Sequence, residues 1–278
     1  MNKNTHDGTG ATPTCPIYNK EGIFKICLGT ISVILAVFTC IFFGKGFDIE
    51  SMYFKKASSS YILGGVVALA MAAAIAFSII SKAQLSPTKR KGATLMQYLS
   101  ALTLFLFFLQ SIIDKNVWLI ILSLIAVAYF IGLFNKRIVA NTILGISTVL
   151  FYGATIAQTY FDYSIAVNSP YKILCQFGMA ISMLLIVGEL KFDLGSGNFG
   201  AYKLISTSTF ILNVSASAAS IALVISGARN INYCFIPCVA MAIYSAKIFF
   251  AHPSTPTETN DTDTPPDEKG TDSDENVN

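Results

Sequence analysis

Eight stretches of about twenty residues carry apolar side chains on every helical face, and these runs restrict the possible folds more than any other feature. They span 22–43, 61–80, 93–113, 117–134, 138–158, 171–189, 204–226 and 231–250. A hydrocarbon core about 30 Å thick is crossed by about 20 helical residues. A helix without a polar stripe must be solvated by lipid or by other helices. Backbone groups in lipid need internal partners, which leaves α-helices or a closed barrel. Runs this long without polar–apolar alternation exclude barrel strands. The expected fold is all-α: a polytopic transmembrane bundle of about eight spans over residues 22–251, between a polar N-terminal segment, 1–21, and an acidic C-terminal segment, 252–278.

Residues 114–116, 135–137 and 227–230 leave room only for hairpins, so the helices they join should be antiparallel neighbours. The longer connections, 44–60, 159–170 and 191–203, are too short to fold by themselves. Lysine and arginine near helix ends set orientation. Eleven fall on one side, among them Lys25, Lys191, Lys203 and Lys247, against six on the other, among them Lys45, Lys55, Lys56 and Lys172. Both termini are therefore expected in the cytoplasm. The first twenty residues are polar, which argues against an ordinary cleavable signal and for retention in the membrane.

Residues 252–278 hold eight acids and one lysine, while the rest of the chain carries eighteen basic and eight acidic groups. Such a basic body suits anionic lipid at the inner leaflet better than nucleic acid, since no soluble basic domain accompanies it. The acidic segment has no aromatic residue and one large aliphatic one, Val277, which predicts disorder and suggests a basic cytoplasmic protein as its partner. The sequence says nothing about oligomeric state.

The candidate sites are few. Gly195-Ser-Gly-Asn-Phe-Gly200 matches G-x-G-x-x-G, but a transmembrane helix precedes it and the next run opens only at Leu204, so it reads as a flexible loop rather than a dinucleotide cradle. His6 and His252 lie at opposite ends of the chain without Cys/His spacing, and no metal or cofactor is expected. Cys234 and Cys238 read as packing residues; an i,i+4 disulfide rarely meets the geometry. Nothing matches paired aspartates, Ser-His or H-E-x-x-H, so the chain is expected not to be an enzyme.

No acid, histidine or arginine falls near the middle of a run, which speaks against a proton-coupled pump or a voltage sensor. Lys25, Lys247 and Glu189 sit within two turns of one boundary, and Glu189 neighbours Lys191, so all three read as interfacial anchors. Asn213 lies near the centre of a run rich in small hydroxyl residues, and an amide in hydrocarbon requires a partner, so that helix should face other helices. Gly64, Ala68, Ala72 and Ala76 form a small-residue ridge expected to pack closely against a neighbour. Gln110, Gln158 and Gln176 fall within about two turns of the outer boundary and are a candidate wall for an outward-facing pocket, with Tyr152 and Asn232 at similar depth.

The stretch from Tyr171 to Lys203, with Val-Gly-Glu189-Leu-Lys191-Phe closing one run and Ala201-Tyr-Lys following a glycine-containing loop, resembles a pattern in uncharacterised multi-pass membrane proteins of clostridial bacteria. The chain departs from that pattern in having Lys191 and a loop poor in arginine. The resemblance implies a bacterial plasma membrane and carries no activity. Two functions follow as expectations: a non-enzymatic membrane protein that binds partners or senses envelope state, and a facilitator or secondary transporter of a small neutral or apolar solute.

Overall fold

The computed structural model describes residues 20–81, 91–133, 137–166, 168–228 and 235–250. These residues form α1 (Lys20–Gly46), a two-stranded hairpin of β1 (Phe47–Asp48) and β2 (Tyr53–Phe54), α2 (Ala57–Ile80), α3 (Lys91–Ile113), α4 (Val117–Ile131), α5 (Ile138–Phe161), α6 (Pro170–Asp193), α7 (Phe199–Ile225) and α8 (Phe235–Ser245). A 3-10 segment, Ala246–Phe250, continues α8. The hairpin is antiparallel, Phe47 facing Phe54 and Asp48 facing Tyr53.

Local chemistry explains most boundaries. Asn116 caps α4 by accepting from the Leu119 N–H at 3.4 Å, and Asn198 caps α7 by accepting from the Ala201 N–H at 3.0 Å. Gly132 ends α4 in the left-handed region at φ 72°. Pro170 occupies the first turn of α6, where its missing N–H costs nothing. The Asn198 cap corrects the expected start of the seventh run. The helix opens at Phe199, not Leu204, which leaves residues 194–198 as the connection, with Gly195 at φ 76°.

Six helices, α1, α2, α3, α5, α6 and α7, are long and apolar enough to cross a bilayer. α4 and the α8 unit, Phe235–Phe250, are shorter apolar helices, so the eight expected spans stand at six to eight. Large apolar side chains cover the outside of the bundle: Ile26, Leu69, Val139 and Ile225 are each 70% exposed or more. Such a surface excludes water as the surrounding solvent, and the chain is an integral membrane protein. Trp118, Tyr61 and Tyr163 lie exposed at the end of the bundle where α2 and α4 begin, the place for an interfacial aromatic belt.

α7 is the hub. It packs against α1, α2, α6 and α8, and 78% of its most apolar window is buried, compared with 22% for α2. Its small side chains permit this. Thr209, Ser215, Ser217 and Ser220 fold their hydroxyls back onto the carbonyls four residues earlier at 2.6–3.0 Å, leaving a slender surface. Around this hub, α3 packs on α4 and α8, α4 on α5, and α5 on α6.

The small-residue ridge of α2 is corrected. Gly64, Ala68, Ala72 and Ala76 are exposed, and α2 buries Leu63, Val67, Ala74 and Ser78 against its neighbours instead. Leu63 and Val67 lie one residue, about 100° around the helix, from Gly64 and Ala68, and these bulkier side chains gain more from burial.

Candidate functional site

One end of the bundle gathers the ends of α2, α4, α6 and α8 and the starts of α1, α5 and α7. There Glu189, in the last turn of α6, lies 6% exposed. A carboxylate at a helix C-terminus opposes the macrodipole and needs compensation. The Tyr202 hydroxyl, from the first turn of α7, donates to Glu189 Oε1 at 3.1 Å. Tyr244 of α8 donates to Oε2, and Lys247 forms an ion pair with Oε1. The hydroxyl of Tyr129, from α4, reaches Glu189 and Tyr244. Lys247 opens onto the same side of the α8 unit as Tyr244, and its Nζ lies 3.8 Å from the centre of the Tyr244 ring. Further toward the same end, Asn141 Nδ2 donates to Asp193 Oδ2 at 2.7 Å. Glu189 and Lys247 thus stay at that end of the bundle but are enclosed in a buried clasp, while Lys191 is exposed.

Two more lysines close helix ends. Lys203 Nζ donates to the Ser78 carbonyl at 2.6 Å and to the Ser81 hydroxyl, at the end of α2, and sits 4.7 Å from the centre of the Phe24 ring. At the opposite end of the bundle, Lys172 is fully buried and donates to the carbonyls of Tyr160 at 3.1 Å and Asp162 at 2.8 Å, where α5 finishes. Both place a cation where a helix exposes unpaired carbonyls.

Asn213 is fully buried at the centre of α7. Its Nδ2 donates to the carbonyls of Gly178 and Thr209 at 3.1 and 2.8 Å and to the Ser182 hydroxyl at 3.0 Å. Gly178 is required at this crossing, because a Cβ there would stand 3.1 Å from Asn213 Oδ1. The three glutamines lie apart from this network. Gln110 donates to Asp114, just past the end of its helix, at 3.0 Å, Gln158 is exposed and Gln176 is half-buried. Among the described residues no hydrogen bond joins the three. Tyr152 is fully buried, and Asn232, Cys234, His6 and His252 lie outside the described residues.

The open space is elsewhere, in a cavity of about 750 Å³ between α2 and α6. Leu63, Gly64, Val67, Ala68 and Met71 form the α2 wall, and Ile173, Leu174 and Phe177 the α6 wall. Leu212 of α7 forms the floor, one residue away from Asn213. Tyr53, Ser60, Tyr61, Asn168 and Pro170 surround the mouth, at the end of the bundle remote from Glu189. From Tyr61 to Met71 the cleft descends ten residues, about 15 Å, roughly half a hydrocarbon core. Its sequence signal was the α2 row of small residues. That row makes a recess rather than a contact, and only the packing of α2 and α6 on α7 reveals which.

No protein-family model, no curated protein and no solved structure matches the chain.

Proposed function

We propose that this integral membrane protein is a non-enzymatic sensor of the envelope, which acts by holding a bilayer lipid in the α2–α6 cleft. The observation that carries the reading is the cleft itself: about 750 Å³, apolar, open beside the exposed Phe177 and Tyr61, and one leaflet deep. A lipid chain entering sideways from the membrane would replace bilayer contacts with Leu63, Val67, Ile173 and Leu212. The acidic segment 252–278 lies outside the described residues; on this reading it carries the output to a basic partner in the cytoplasm.

The second reading, passage of a small neutral or apolar solute, is favoured by the buried hydroxyls and amide of α7. It requires Asn213 on the wall of an open path, whereas Leu212 takes that place in the cleft.

The test is photolabelling of the full chain in bilayer discs with a phospholipid bearing a photoreactive acyl chain. Adducts are expected on α2 and α6 peptides that line the cleft. A Gly64→Leu/Ala68→Leu variant, which fills it, should lose them by about tenfold or more. Labelling that is undiminished in the variant, or spread evenly over all outward faces, would overturn the reading.

A further inference from the structure

The mouth of the cleft differs from its walls in charge. α2 and α6 both begin there, at Ala57 and Pro170, and each is 24 residues long. A helix of that length presents roughly half a positive charge at its N-terminus. Neither start is compensated. No acidic residue lies in the first turn of either helix, and neither Lys56 nor Ser169 caps its own helix with its side chain. The Ser169 hydroxyl instead donates to the Met52 carbonyl at 2.8 Å, tying the hairpin to the start of α6.

Lys55 and Lys56 are exposed immediately before α2, and the hydroxyls of Ser60 and Tyr61 stand at the rim. The nearby acids are Asp48, Glu50 and Asp162. Asp48 is engaged within the hairpin, where its Oδ2 accepts from the Ser51 hydroxyl at 2.7 Å, and it also feels the Lys55 charge. Asp162 Oδ1 accepts from the Ser164 N–H at 2.8 Å. Asp48 and Asp162 are thus held by local donors, Glu50 is exposed in the hairpin turn, and Lys56 stands one helical turn before Ser60 at the rim.

We infer that the lipid held in the cleft is anionic, with its chain along Gly64, Ala68 and Leu212 and its phosphodiester at the mouth between the starts of α2 and α6. This rests on the proposed lipid-binding role of the cleft and adds the chemical class of its occupant. The charge of the mouth complements an anion, and the depth of the cleft places such a head group at the membrane surface while its chain ends near the midplane. A zwitterionic head group would bring its own cation to the same positive surface.

The test compares two photoreactive probes, phosphatidylglycerol and phosphatidylcholine, with the full chain in otherwise identical phosphatidylcholine discs. Phosphatidylglycerol should label the cleft peptides in preference. Lys55→Gln and Lys56→Gln should each reduce that preference by about fivefold while labelling by phosphatidylcholine stays constant. Raised salt should weaken the preference in the unmodified chain. Equal labelling by both probes would overturn the anionic assignment and leave the lipid-binding reading standing. Absence of cleft labelling by either probe would overturn both.

Discussion

At the scale of single residues, the chain keeps its buried charges by giving Glu189 donors and Lys172 and Lys203 acceptors. Glu189 receives Tyr202 from α7 and Tyr244 and Lys247 from the α8 unit, so removing one partner strands the others. Lys247→Met is expected to destabilise the protein, and Glu189→Gln by more, on the order of 3–5 kcal/mol, because it leaves an ammonium buried without its counter-charge. The double variant should recover most of that loss. Thermal unfolding of all three in one detergent checks this; additive losses in the double variant would mean that the two side chains act independently. The boundary position of Glu189 was readable from the sequence. Its partner was not, because Lys247 lies 58 residues further on and meets the carboxylate only once α6 and the α8 unit are packed together.

Helices show where local signals suffice and where they fail. Long apolar runs located α2, α3 and α5 closely, since hydrocarbon leaves the backbone no alternative to internal hydrogen bonds. Ends set by capping were readable in principle: Asn198 before Phe199 marks the start of α7 better than the first apolar residue does. Asn198→Ala should cost about 1 kcal/mol and fray the first turn of α7, seen as faster amide exchange at Ala201 and Tyr202 with the core unchanged. Which face of a helix packs is another matter. Gly64 and Gly178 are the same residue in apolar helices, yet a Cβ at Gly64 meets no atom within 4 Å and one at Gly178 meets Asn213. Gly178→Val is therefore expected to separate α6 from α7 at a cost of about 1–3 kcal/mol. Gly64→Leu should leave the unfolding temperature nearly constant. Comparable losses at both positions would contradict the assignment of faces.

On the scale of the molecule, two layers of solvation organise the bundle. α7 is solvated by α1, α2, α6 and α8, while the outer faces of the peripheral helices are solvated by lipid. The hydroxyl-rich run containing Asn213 gave α7 away as an inner helix, but the order of helices around it depends on contacts between distant segments. For the same reason the cleft could not be placed beforehand, whereas the glutamine level could be stated and has its own local partners, Asp114 for Gln110. The most direct measurement of this layered arrangement is labelling of the unmodified protein in a bilayer with a small apolar carbene reagent, followed by peptide mapping. Adducts are expected on Leu69, Phe177, Val139 and Leu102, which face outward, and none on 215–220 of α7. Adducts throughout α7, or protection of the peripheral faces in a protein that stays dispersed in buffer without any amphiphile, would contradict the account.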